Sequence, residues 1–290
     1  MVKLTSREKV VKLIRTKEEF NILRSNIPDS EIGFVPTMGN LHKGHLSLIK
    51  KAAQLTEVII VSIFVNPTQF GPNEDFDSYP RTLERDIKLI EGLSIEKNII
   101  IFAPESMDEV YPQDFSTTFN IPMLESRLCG SSRPGHFSGV LSVIYHLFNL
   151  IKPQIAIFGQ KDYQQYLIIK KFASDFFPSI KIVMSEIIRE DSGLAMSSRN
   201  GYLSDEEKDT ALELNKTLKK VKTDILSKKY TSPEEYKNNT DSISWDYLDV
   251  LDSNNLQDID NSTRHIIISG AMFINKKVRI IDNILMEIQA

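Results

Sequence analysis

Between residues 31 and 188, short apolar runs alternate with amphipathic stretches, and this alternation restricts the fold more than any other feature. Glu31–Pro36, Val58–Val65, Asn98–Ala103, Gln154–Phe158 and Ile180–Ile188 are rich in Ile, Val and Phe. They are apolar on both faces, as strands of a parallel sheet covered by helices on each side must be. Leu46–Leu55, Arg81–Gly92, Gly139–Ile151 and Asp162–Phe177 lie between or after them with helical spacing. Strand–helix–strand repetition predicts an α/β protein built on a doubly wound parallel sheet. Such a sheet receives its ligands at the carboxyl ends of the strands.

Beyond about Ile188 the pattern changes. Ser204-Asp-Glu-Glu207 has capping-box spacing and opens a polar helix to about Lys228. Ser232-Pro233-Glu234-Glu235 repeats the start signal, with Pro at the first helical position. Ile243–Tyr247 alternates like a half-buried strand, and His265–Ile274 with Lys277–Asp282 reads as a hairpin. We therefore expect two domains, residues 1–185 and a smaller α+β C-terminal domain over 186–290.

Charge narrows the partners. The net charge of −4 and pI near 5.8 disfavour nucleic acid, which needs a basic face. Any phosphate or carboxylate must be held by a few local cations and backbone amides. No apolar run approaches the ~18 residues of a membrane span. The N-terminal run Met1–Val10 is broken by charge too early for a signal-peptide core. The single cysteine, Cys129, cannot form an internal disulfide. A cytoplasmic location is the expectation.

Five segments carry the chemistry. Phe34–His45 takes a strand end at Pro36 through a loop with Gly39 into a helix near Gly44. His42 and His45 share a side at that helix start, beside its positive end, which suits phosphate oxygens. The same pair fits a metal or plain solvent exposure, although zinc needs a third ligand and none is near in sequence. Phe64–Gly71 follows the second strand. Its Asn66 and Gln69 suit substrate hydroxyls, and an ordinary Asn-Pro turn is the alternative. Arg133–Val140 is a glycine-punctuated loop entering a helix, better read as structural or indirect than as catalytic.

Phe158–Gln165 again sits at a strand end. Lys161 at a helix start opposes the helix dipole, a local rule-break typical of a functional site. Asp162 suits ribose hydroxyls or a helix N-terminus, Gly159 leaves room for ribose, and Gln165 lies one turn beyond Lys161. Asp191–Asn200 is a polar loop at the expected domain boundary. Its Ser197, Ser198 and Arg199 offer two hydroxyls and a forked cation, and a linker is the alternative reading.

His42-x-Gly-His45 after a first strand resembles the nucleotide-binding signature of class I aminoacyl-tRNA synthetases and related nucleotidyltransferases, the HIGH-motif superfamily with a Rossmann-like sheet. The longer string Pro36-Thr-Met-Gly-x-Leu-His-x-Gly-His45 narrows the resemblance to pantothenate synthetases, as does Met196-Ser-Ser-Arg-Asn200. All five segments stand in that family's order between Phe34 and Leu203. The C-terminal third matches loosely, chiefly at Tyr247–Val250 and Arg279–Asn283.

The resemblance implies ATP-dependent condensation of pantoate with β-alanine to pantothenate, AMP and pyrophosphate, through a pantoyl adenylate. It implies that Pro36, Thr37, Met38, Gly39, His42, His45, Phe158, Gly159, Lys161, Asp162, Ile188, Met196, Ser197, Ser198 and Arg199 bind ATP. Ile188, at the end of the last strand, would meet adenine through its backbone. Within that set, His42, His45, Lys161, Ser197, Ser198 and Arg199 neutralise charge during catalysis. Gln69, Gln165, Asn66 and Met38 hold pantoate or β-alanine. Asp86, otherwise a solvated helix charge, matches a carboxylate associated with Mg2+. The resemblance also implies a homodimer.

A nucleotidyltransferase of another pathway is the competing reading, but a phosphate acceptor wants more Arg or Lys near Asn66, Gln69 and Gln165. A tRNA synthetase lacks support in a short acidic chain. A non-catalytic nucleotide-binding regulator predicts broken motifs, and these are intact.

Overall fold

The computed structural model describes residues 11–28, 31–72 and 74–288, so the N-terminal run Met1–Val10 lies outside the described residues. Two compact units emerge. The first holds the described residues up to Asn120 with Pro134–Gly159 and Ile169–Ser185. The second holds Ile121–Arg133, Gln160–Ile168 and the described residues from Glu186 onward. The division is thus not a single cut near residue 185, because the chain enters the second unit twice before that point. Lys161, Asp162 and Gln165 consequently belong to the second unit.

The first unit is a six-stranded, all-parallel sheet. Its strands are β1 (Val11–Ile14), β2 (Ile32–Thr37), β3 (Val58–Ile63), β4 (Asn98–Phe102), β5 (Ile155–Gly159) and β6 (Lys181–Ser185), in the order β1-β4-β3-β2-β5-β6. Helices are α1 (Lys17–Arg24), α2 (Lys43–Leu55), α3 (Leu83–Glu91) and α6 (His136–Ile151); α4 (Pro122–Glu125) and α5 (Leu128–Ser132) belong to the second unit. α7 (Tyr163–Phe176) begins among second-unit residues and ends among first-unit ones. Ile59, Val61, Ile99, Ile101 and Ile157 from three strands join Leu48, Ile49 and Ala52 of α2 in one core. α6 is apolar nearly all round, with ten of its sixteen residues buried, as befits a covered helix.

Strand order reverses at β2, whose neighbours are β3 on one side and β5 on the other. A crevice opens at such a switch point, beyond the carboxyl ends of the diverging strands. Here those ends are Thr37 and Gly159. β1 escaped the sequence reading because four residues with one lysine carry almost no periodic signal.

The second unit is an antiparallel sheet, β7 (Ile243–Asp252), β8 (His265–Ile274) and β9 (Val278–Glu287), packed against α8 (Asp205–Leu226). Ser204 caps α8 in a complete capping box with Glu207. Leu214 and Leu218 of α8 press so closely on Gly270 of β8 that an added Cβ would stand 2.9 Å from Leu214. The start signal at Ser232 yields only a 3-10 turn, Pro233–Tyr236, because Lys237-Asn-Asn-Thr240 offers no apolar face to continue it. β9 runs five residues past the expected end at Asp282.

Candidate active site

In the first unit, the loop leaving β2 is held in a fixed shape. Gly39 and Asn40 both take left-handed φ values, +80° and +49°. The Thr37 hydroxyl donates to Ser62 O (2.8 Å) and accepts from Gly39 N (3.2 Å), so it is engaged within the loop. Asp86 of α3 accepts from Asn40 N at 2.9 Å and Leu41 N at 2.8 Å, and from the Thr82 hydroxyl.

Asp86 is fully buried, which corrects the solvated-charge expectation. Burial raises its carboxyl above the usual carboxylate range, against the pull of those hydrogen bonds. Both oxygens are already occupied by the loop, so Asp86 does not fit a magnesium ligand. No group of three or more His, Cys, Asp or Glu able to hold a metal occurs among the described residues.

This loop delivers His42 as the N-cap of α2. Its Nδ1 accepts from Gly44 N at 3.1 Å, which places the proton of the neutral ring on Nε2 as a donor. The His45 ring lies 4.1 Å from that of His42. The first turn of α2 holds no acid. Two imidazoles and the helix-end amides, with no acid in that turn to compete, present the kind of donors that an anion takes.

The loop after β3 forms a short turn, Pro67–Gln69, started by Asn66. Asn66 is 1% exposed, with its amide saturated. Nδ2 donates to Gln69 Oε1 and Gly139 O, both at 3.1 Å, while Oδ1 accepts from the Thr68 hydroxyl at 3.0 Å and the Tyr111 hydroxyl at 2.9 Å. The expectation that Asn66 grips a substrate hydroxyl is corrected accordingly: it has no capacity left and instead orients Gln69. Gln69 points its amide nitrogen at the weakly accepting Met38 sulfur, 3.1 Å away, a contact that a better acceptor can replace.

The third sequence segment acts on this turn. His136 Nδ1 lies 2.8 Å from Gln69 O, and Gly139 lets α6 touch the turn directly. Tyr111, absent from the sequence reading, has its phenol pushed up to about 12 by burial and remains a neutral donor to Asn66. At the end of β5, Phe158 is buried, whereas open space lies where a Gly159 Cβ would point.

In the second unit, Gln160–Asp162 forms a 3-10 turn ahead of α7. Lys161 is one-fifth exposed and lies 3.6 Å from the Asp162 carboxylate. Lys161 and Ser197 line one small cavity together with Asn200 and Asp282. Ser197 caps the 3-10 helix Ser198–Tyr202 by accepting from Arg199 N at 3.2 Å. Ile188 lies three residues past β6, outside any strand; its carbonyl accepts from Met196 N at 3.0 Å, closing a small loop bridged at Arg189 and Ala195. The neighbouring glutamines separate by role. Gln164 is buried against Leu124 O and Arg127 O, whereas Gln165 is half-buried.

Sequence reasoning missed the buried Asp282, Asn283, Asn200 and Asn215 and the partly exposed Arg189, a polar set in this unit. The available signal was Asp282-Asn283 interrupting the apolar run Ile280–Met286.

The family model for pantoate-beta-alanine ligase matches residues 10–285. Pantothenate synthetase of Thermosipho africanus is 43% identical over 283 residues, covering 95% of this chain and 100% of the relative. That of Fervidobacterium nodosum is 44% identical over 262 residues, 88% and 91% of the two chains. The crystal structure of the Thermus thermophilus pantothenate synthetase superposes with a TM-score of 0.83 at 36% identity, covering 94% and 98%. The Francisella tularensis pantoate-beta-alanine ligase, solved with beta-gamma ATP and beta-alanine, gives 0.75 at 35% identity, covering 95% and 98%.

Proposed function

The chain belongs to the pantoate–β-alanine ligase family, and on that premise we propose that it condenses pantoate with β-alanine at the expense of ATP through a pantoyl adenylate. What supports the reading in this molecule is the acid-free start of α2 with His42 and His45 beside it, reached by a loop that β2, β3 and α3 jointly hold.

In the first step a pantoate carboxylate oxygen attacks the α-phosphorus, and the bond to the β-phosphate breaks to release pyrophosphate. In the second the β-alanine amine attacks the acyl carbon, the carbon–oxygen bond to AMP breaks, and the amine loses a proton. Neither step needs an enzyme nucleophile; both need alignment and charge neutralisation.

The first unit supplies His42 Nε2–H, His45 and the amides that open α2 to phosphate, with the Pro36–Gly39 loop shaping that end, and Gln69, assisted by Met38, to pantoate. The open side of Gly159 leaves room for ribose, next to the buried Phe158 in the chain. The second unit supplies Lys161, Ser197, Ser198 and Arg199 to the phosphates, Asp162 to ribose, Gln165 to pantoate, and the Ile188 and Met196 backbone to adenine. Magnesium enters as the counterion of ATP, as part of the substrate. The chain works as a cytoplasmic homodimer, which a sedimentation mass of two chains supports and a monomer mass refutes.

The test is pyrophosphate release from MgATP with and without pantoate, before β-alanine is added. Pantoate-dependent release, followed by AMP and pantothenate once β-alanine arrives, supports the reaction and its order. Absence of release with pantoate removes this acceptor and returns the nucleotidyltransferase reading.

A further inference from the structure

β9 places two polar residues side by side, Asp282 and Asn283, between Ile280-Ile281 and Ile284-Leu285. Both are buried, at 3% and 2% exposure. Successive side chains on a strand point to opposite faces, so the pair can reach two different segments. Asn283 Nδ2 donates to the carbonyls of Gln160 (2.9 Å) and Lys161 (3.0 Å), and its Oδ1 accepts from Gln160 Nε2 (3.2 Å). Asp282 takes a two-pronged bond from Arg189, at 2.6 and 2.9 Å, and a third from Asn215 at 3.0 Å. Arg189 also donates to Gly193 O at 3.1 Å, so Asp282 anchors the loop that runs into Ser197–Arg199.

Apolar side chains would serve this three-stranded sheet as well, and burying amides and a carboxylate costs free energy unless every bond is made. Here the bonds run chiefly to the two segments that carry the phosphate-facing groups. We infer that Asp282 and Asn283 form a bracket that positions those segments, and that Asn283 is a positioning residue acting through Lys161. The inference rests on the role given to Lys161 above. Holding the Lys161 carbonyl fixes its Cα and limits where its ammonium can stand. The charge on departing pyrophosphate grows only in the transition state, so misplacing that ammonium lowers kcat more than it weakens ATP binding.

The experiment is a double-mutant cycle on pantoate-dependent pyrophosphate release, with Asn283→Ala, Lys161→Ala and the pair. It is read in single turnover with enzyme in excess, at a temperature well below each variant's melting point. Asn283→Ala is expected to lower the rate by about 10- to 100-fold in the parent. It should change the rate less than about twofold in the Lys161→Ala background, because the residue it positions is gone. Equal losses in both backgrounds, or no loss in the parent, overturn the inference. A near-normal rate for Lys161→Ala alone overturns instead the role given to Lys161, so the two failures are distinct. If Asn283→Ala does not fold, Gln160→Ala removes one of the three bonds and takes its place in the cycle, with a several-fold loss expected. A loss that persists unchanged without Lys161 refutes the bracket there too.

Discussion

Gly139 offers a test of how the acceptor loop is positioned. In Gly139→Ala the new Cβ would lie 2.1 Å from Thr68 O, 2.4 Å from Thr68 C and 2.6 Å from Gln69 N. All three are backbone atoms, so no side-chain rotation relieves the clash. Taking Thr68 O from 2.1 Å to an ordinary contact of 3.4 Å means a displacement of about 1.3 Å. The movement pulls Asn66 and Thr68 from Gly139 O and stretches the 2.8 Å contact of His136 with Gln69 O.

Overpacking of this kind costs about 1–3 kcal/mol of stability. Displacing a substrate-orienting group by ~1 Å costs on the order of 100-fold in rate. Steady-state pyrophosphate release at varied pantoate, beside a melting curve, should show a raised pantoate KM and a kcat lowered by that order, with ATP saturation little altered. Unchanged pantoate kinetics in a folded variant would refute the argument that α6 sets the position of Gln69.

Asp86→Asn replaces one of two acceptors with a donor that faces a backbone amide, so it should cost about 1–3 kcal/mol in urea unfolding and weaken ATP binding; a variant as stable as the parent would restore a solvated role. Burial raises the Tyr111 phenol from 10.0 to about 12. The unfolded chain therefore loses that proton first, and the contribution present below pH 10 is lost as pH rises towards 12. Tyr111→Phe should flatten part of that alkaline fall in unfolding free energy, and an equally steep fall would count against it. Ser204→Ala removes half of the capping box and should cost about 1 kcal/mol without changing turnover, as a melting curve and the pyrophosphate assay together will show.

Much was determined by the sequence alone. Five strands of the parallel sheet, the helices α2, α3, α6 and α7 and the capping box of α8 rest on local periodicity and on side-chain bonds spanning three residues; α1 and β1 did not show. Lys161 stood out in the sequence because a lysine at a helix start opposes the dipole, His42 because His45 follows three residues on, and Ser197 through the Met196–Asn200 string. The tertiary structure decided which polar side chains work on the protein itself. Asp86 turned out buried beneath a loop 46 residues away, and Asn66 turned out saturated by Tyr111 and by a carbonyl on α6. Asn283 holds the backbone of a residue 122 positions earlier. Hydrogen-bond saturation is a property of everything around an atom, contributed by segments with no local relation in the chain. Periodicity reports which face of an element is covered; it carries no record of the partner that covers it.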